Sequence, residues 1–454
     1  MSKNFSVVNI KMSQEKDLNP KPSAIALLPI AIFLILFIGV GAYFQHLGTK
    51  YAFYQLPSPV AILPALALAL LLSKQRLNKA IDQMISGMGH NNIITMCLIY
   101  LLAGGFSVVA KATGGVDAVV GIGLSVIPSW FLVPGLFLVS AFIATAMGTS
   151  MGTISAVGPI AVGISQTAGI PAPLMAGAVI SGAMFGDNLS IISDTTIAAT
   201  RTQNCEMKDK FRENFWIALP AAIITFAIFW YLSGSAQAPT HDYSIWPAIP
   251  YLFILFLAII GVNVFVVLAL GILIAGLFGI IGMDYAWLTF AKDIYKGFTS
   301  MQEIFILSLM IGGLSELMRR QGGLHYLQKL VTKLVSIFGT SKGTAQLGIA
   351  ILVMLTNICT ANNTIAILIA GSVAKEVADE HEISGRRSAS ILDIFACVVQ
   401  GLIPYGAQAL LLGSLFGLSP LTVSLMAIYP MTLGVVSLIA LFLRHRQKPT
   451  SQQA

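Results

Sequence analysis

Asp187 and Asp194 lie seven residues apart in the run FGDNLSIISDTT, from Phe185 to Thr196. The neighbours Asn188, Ser190 and Thr195 supply further oxygens. Carboxylates among amides and hydroxyls suit cations or protons. The surrounding chain makes that pairing expensive. A carboxylate at membrane depth costs about 2.5–3.5 kcal/mol on insertion scales, so it marks a functional position by default. On an unbroken helix the two aspartates share one face, about 10.5 Å apart along the axis. A break at Gly186–Asn188 instead turns the first into the break and leaves the second on the following half-helix. Asp187 is the deeper in either case.

The 454 residues are 56% apolar and 10% charged, against about 25% charged in soluble domains. Mean hydropathy is +0.83. The chain therefore reads as an all-α polytopic membrane protein, integral to the plasma (inner) membrane. Apolar runs predict about 14 spans, several of them short or broken. Forty-one glycines fit close helix packing in lipid. The net charge of +7 follows the positive-inside rule rather than pointing to nucleic acid. Basic residues gather before residue 24 and in the stretches 73–90, 200–213, 319–343, 375–387 and 444–448. Placing these inside puts both termini in the cytoplasm, and no cleavable signal peptide is evident. The stretch 73–90 reads as an interfacial amphipathic helix. The four cysteines form no CxxC pair, the six histidines no HxxxH pair, and there is no nucleotide fingerprint. An enzyme is not expected, nor a bound cofactor. Na+ and H+ are the expected transported or coupling ions.

An internal repeat organises the spans. Gly104-Gly105-Phe106-Ser107 leads to Gly114-Gly115, and Gly312-Gly313-Leu314-Ser315 leads to Gly322-Gly323. Thr145-Ala146-Met147-Gly148-Thr149 parallels Thr360-Ala361-Asn362-Asn363-Thr364. Thr145 to Gly186 and Thr360 to Gly401 are both 41 positions. An odd number of spans between the copies predicts two inverted-topology repeats, the architecture of many secondary transporters. The chain divides into a tail (1–23), two spans with the amphipathic helix (24–90), repeat 1 (91–213), connecting spans (214–300), repeat 2 (301–411), and a last span and tail (412–454).

Four stretches should interrupt their helices: Met147–Thr153, Phe185–Thr196, Thr360–Thr364 and Gln400–Gln408. Glycine costs about 1 kcal/mol against alanine in a helix and proline about 3. Backbone groups left unpaired at membrane depth must face protein, water or a ligand. Bare carbonyls and Asn, Ser and Thr oxygens suit Na+, so Asn362, Asn363 and Thr364 join the ion-binding candidates. Helix N-termini suit anions. Thr149, Ser150, Thr153, Gln400, Tyr405 and Gln408 are therefore candidates for binding a small organic solute. Asp393, in SILDIF, is either an additional proton carrier or a surface residue beside Arg387. Glu316 is expected to pair with Arg319 and Arg320.

GDNLSIISDTTIAATRT, TANNTIAI and RRSASILDIFACVVQGLIPYGAQ resemble the NhaC family of Na+/H+ antiporters, within the wider ion-transporter superfamily, from about residue 90 to 443. The resemblance implies Na+/H+ exchange by alternating access, with the coupling-ion site at Asp187 to Thr196. It equally admits relatives that carry organic acids or amino acids. Two readings follow: an Na+/H+ antiporter with Asp187 as the ion carboxylate, or an Na+-coupled carrier of a small amino acid or carboxylate. Partners are the bilayer, Na+ and H+, with an organic solute and a second copy of the chain as further candidates.

Overall fold

The computed structural model describes residues 20–49, 55–190, 193–233, 246–260, 262–282, 284–338 and 341–444. The tail before residue 20, the 234–245 part of one loop, and Arg446 and Lys448 lie outside the described residues. Every regular element among the described residues is helical. Among the described residues seven helical segments are long and apolar enough to cross a membrane, or up to eight if a bent pair counts as one span. Three apolar helices are shorter, Leu132–Met147 among them. The apolar runs outnumber the long helices because several end at built-in breaks.

The chain divides into two compact units. The first takes Met1–Ile94 and Ile306–Gly339. It holds the amphipathic helix Leu77–Met88, as the sequence predicts. Glu316 binds Arg319 at 2.6 Å and Arg320 at 2.7 Å, also as expected.

The second unit, Thr95–Phe305 with Thr340–Ala454, carries the repeated breaks. Among its helices are α1 (Leu132–Met147), α2 (Ser150–Ala168), α3 (Ala172–Leu189), α4 (Asp194–Thr202), α5 (Met207–Leu232), α6 (Lys342–Thr360), α7 (Asn363–Glu380), α8 (Gly385–Leu402), α9 (Ala407–Phe416) and α10 (Ile428–Arg444). The sequence α1–α4 is matched by α6–α9, break for break. α1 ends on Gly148 in the left-handed region (φ +69°), and α6 ends on Ala361 (φ +50°). Extended residues Thr149 and Asn362 then cap the next helix, each side chain accepting a backbone N–H three residues on. The breaks after α3 and α8 are extended instead: Ser190 and Ser193 in one, Ile403 and Gly406 in the other. Pro404 disfavours helical backbone at Ile403, which fixes the second.

The α3 break falls later than Gly186–Asn188. The helix runs on through Leu189, because Ser190 N–H still reaches the Gly186 carbonyl at 2.8 Å. The basic stretch 200–213 is also shorter as a loop than the charges imply. α5 begins at Met207 and carries Lys210 inward.

Close backbone approach explains the glycines. A Cβ on Gly182 or Gly186 of α3 would strike α1 at Phe137 O or Ala144. This is the small-xxx-small packing of membrane helices. The GGxS glycines repeat the device reciprocally. Gly104, from the first copy, has no room for a Cβ against Gly297 of the amphipathic helix Trp287–Ser300. Gly87, in Leu77–Met88, has none against Gly312 of the second copy. Each copy's GGxS helix packs on the amphipathic helix that precedes the other copy's GGxS helix.

Overpacking a membrane core costs about 1–3 kcal/mol. Gly182→Leu should therefore lower the thermal midpoint of the detergent-solubilised protein by several degrees. Gly282→Ala, which meets open space, should leave it unchanged.

Candidate ion-binding site

All four helix breaks contribute to one polar network around Asp187. Its carboxylate is 6% exposed. Ser150 Oγ, from the first turn of α2, donates to Oδ2 at 3.1 Å. Ser193 Oγ, the cap of α4, donates to Oδ1 at 3.1 Å. Asn363 Nδ2, at the start of α7, donates to Oδ2 at 3.3 Å. The network continues outward. Gln408 Nε2 in α9 donates to Ser150 Oγ at 3.0 Å. Gln400 Nε2 in α8 donates to Gln408 Oε1 at 2.8 Å and to the Ala361 carbonyl at 3.3 Å. Thr195 Oγ1 lies 2.8 Å from Ser193 Oγ. Every group bonded to Asp187 among the described residues is neutral.

A second buried carboxylate is compensated. Asp393 Oδ2 accepts from Lys210 Nζ at 2.7 Å, each side chain being 1% exposed. The same oxygen accepts from Asn188 Nδ2 and Asn214 Nδ2, both at 2.9 Å. Lys210 Nζ also donates to the Asn188 carbonyl at 3.0 Å and to Thr196 Oγ1 at 2.8 Å. Its three donor positions are thereby filled. Asn188 Oδ1, Asn214 Oδ1, Asp393 Oδ1 and Gln400 Oε1 are among the buried side-chain oxygens with no hydrogen-bond partner among the described residues.

The structure sorts the candidates drawn from sequence. Asp187, Asn363, Ser150, Gln400 and Gln408 come together, so residues assigned separately to ion and solute share one network. Asn188 is near in sequence but turns to Asp393. Asp393 meets Lys210 rather than Arg387, which pairs with Glu213 at 3.1 Å. Asn362 caps α7 through the Ile365 N–H, and Thr149 caps α2 through the Gly152 N–H. Thr153 Oγ1 bonds back to the Thr149 carbonyl. Thr364 N–H bonds to Asn363 Oδ1. The Ser190 carbonyl accepts from Thr196 Oγ1 at 2.7 Å. Tyr405 Oη donates to the Ile358 carbonyl at 2.7 Å and ties α8–α9 to α6. Asp194 is not brought to Asp187. It is the exposed first residue of α4, where a negative charge favours the helix N-terminus.

Ser193, Lys210 and Asn214 were not singled out from sequence. Lys210 resembled one more loop cation. Its signal was the i, i+4 spacing to Asn214, which places both on one helix face.

Among the described residues no cluster of three His, Cys, Asp or Glu residues could hold a resident metal ion. The Asp187 surroundings instead offer a single carboxylate with hydroxyl and amide oxygens. That donor set fits a hard monovalent cation handled as cargo.

Removing one partner of a buried ion pair costs about 3–5 kcal/mol. Lys210→Met should therefore destabilise the protein strongly, and Lys210→Met with Asp393→Leu should recover most of the loss. A double-mutant cycle on thermal unfolding in detergent measures both.

The sequence pattern of the Na+/H+ antiporter family matches this chain twice, over residues 7–234 and 231–443. The malate-2H(+)/Na(+)-lactate antiporter of Bacillus subtilis is 26% identical over 428 residues, covering 86% of this chain and 90% of the relative. The Na(+)/H(+) antiporter NhaC of the same organism is 28% identical over 363 residues, covering 72% and 79%. The arginine/ornithine antiporter ArcD of Halobacterium salinarum is 25% identical over 439 residues, covering 87% of each. The YdaH transporter of Alcanivorax borkumensis has a TM-score of 0.42 and 15% identity, over 93% of this chain and 98% of that one. Two matches spanning nearly the whole sequence agree with the two sets of breaks, and the chain belongs to the Na+/H+ antiporter family, as an integral membrane transporter.

Proposed function

We propose that the protein exchanges Na+ for H+, with Asp187 as the carboxylate that carries either ion. One observation carries this reading: Asp187 is buried and every bonded neighbour is a neutral donor. The buried ammonium of Lys210 is already held by Asp393. A charge out of water needs a counter-charge, and Na+ or a proton supplies it at Asp187. Both cannot be held at once, so binding one expels the other, and that competition is the exchange. Ser150, Ser193, Thr195 and Asn363 supply the further oxygens, while Asn188 links the site to the compensated Asp393–Lys210 pair. Asn362, Thr149, Thr153 and Thr364 hold the interrupted helices in shape. Alternating access would move one repeat against the other around this point. The basic stretches place both termini in the cytoplasm.

A second reading draws on Gln400 and Gln408. Gln400 Oε1 is buried with no hydrogen-bond partner among the described residues, and a bare ion exchanger has less need of two glutamines. Relatives named for malate, lactate, arginine and ornithine belong among the matches. An Na+-coupled carrier of a small amino acid or carboxylate would use the same Asp187 for Na+ and the glutamine amides for the solute.

Proteoliposomes with an internal pH dye separate the two. Proton movement on adding Na+ alone is expected. Silence in that assay, together with Na+-dependent uptake of a labelled amino acid or carboxylate, would favour the carrier. Asp187→Asn should reduce transport to the level of empty vesicles, and near-normal transport by that variant would refute the assignment. Ser193→Ala should raise the KM for Na+ roughly tenfold, the worth of one lost ligand bond. Asp194→Asn should leave transport near wild type. Because the ions compete for one carboxylate, the KM for Na+ should rise as pH falls while the maximal rate holds.

A further inference from the structure

Within the first unit, a cavity of about 580 Å³ opens where three apolar helices begin or end. Lys21, Lys74 and Arg320 line it, and no Asp or Glu does among the described residues. The sequence alone assigns these cations to orientation bias. Their convergence on one cavity is more than that bias requires.

The cavity is built rather than incidental. Ser23 N–H donates to the Gly322 carbonyl at 3.1 Å, and His325 Nδ1 contacts the Pro20 carbonyl at 2.9 Å. Gly322, at φ +87°, leaves no room for a Cβ against the Lys21 carbonyl. The segment bearing Lys21 is thereby seated on the second copy's GG turn. Arg320 is fixed from the other side, since its Nε donates to Glu316 Oε1 at 2.7 Å. Its two terminal nitrogens make no bond among the described residues, so the outer edge of the guanidinium is available. Lys21 and Lys74 are exposed and make no ion pair among the described residues. Gln321 Nε2 is tied to the Ala69 carbonyl at 2.7 Å and closes the floor.

We infer that this cavity binds the phosphate of an anionic ligand, an acidic phospholipid headgroup in the first instance. Two ammonium groups and the open edge of a guanidinium match phosphate oxygens in charge and geometry. The apolar surroundings select a lipid over a free ion. Ile25 and Leu72 form part of the wall. Ile25 is 63% exposed, and Leu71, next to Leu72 in sequence, is 81% exposed. Apolar side chains left bare at the ends of spanning helices meet acyl chains. The cations beside them then sit at headgroup depth, where basic side chains bind acidic lipids.

The test uses the full chain, purified in detergent, with thermal unfolding followed by tryptophan fluorescence. Phosphatidylglycerol, phosphatidylcholine of the same acyl chains, and potassium phosphate at matched ionic strength are titrated separately. Phosphatidylglycerol should raise the midpoint in a saturable way, as a ligand of the folded state does. Phosphatidylcholine and potassium phosphate should not. Lys21→Gln with Lys74→Gln should raise the half-saturating phosphatidylglycerol concentration roughly 30-fold, about 1 kcal/mol for each lost cation. Lys329→Gln, outside the cavity lining, should not change it. Equal shifts with both lipids, or an unchanged half-saturation in the double variant, would overturn the site. A shift with potassium phosphate that depends on both lysines would support the phosphate site and overturn its lipid source.

Discussion

A buried carboxylate that bonds only neutral donors among the described residues is the constraint around which the second unit is organised. In lipid or a dry protein interior an isolated charge is untenable unless something neutralises it. The fold holds Asp187 with hydroxyl and amide donors only, from Ser150, Ser193 and Asn363. Such donors orient a carboxylate without discharging it. Had an ammonium been seated there, a transported cation would have had to displace it. The three donors come from three helices that each start at a break. The breaks therefore bring short side chains to a point that continuous helices could not all reach.

Asp393 shows the opposite arrangement a short way off. Its ion pair with Lys210 is completed by Asn188, Asn214 and Thr196, and the ammonium has no donor left over. One buried carboxylate is closed by the protein's own cation and the other is left open. In the proposed exchange, this division makes Asp187 the working group and the Asp393–Lys210 pair the structural one. Asn188 follows Asp187 directly and hydrogen-bonds Asp393, so the two clusters are covalently linked. A change of partner at Asp187 has a short route to the ion pair.

The repeat gives these clusters their frame. Left-handed residues at Gly148 and Ala361 and extended residues at Ser190 and Ile403 recur in the same order in both copies. Ala361 shows that the conformation, rather than glycine, is what repeats. An alanine there costs about 1 kcal/mol or more in the left-handed region, and its carbonyl is engaged by Gln400. The reciprocal seating of Gly104 on Gly297 and of Gly87 on Gly312 carries the same symmetry outward.

The sequence by itself determined the class, the repeat, the four breaks and the burial of Asp187. Each rests on local physics: hydropathy over a span, glycine and proline against helix continuation, and the cost of a charge in lipid. It placed Gln400 and Gln408 as unusual, but not in the same network as Asp187. Which polar groups meet was decided by tertiary structure alone. Asp187 reads as the deeper of the two aspartates, but only the extended residues after Leu189 show that Asp194 is left exposed at a helix N-terminus. Lys210 reads as a loop cation beside Lys208 and Arg212. Only the early start of α5 and its packing against α8 turn it inward to Asp393, a partner 183 positions away. A contact across that distance leaves no trace in local composition, because burial is a property of the faces that come together and not of the segment that carries the charge.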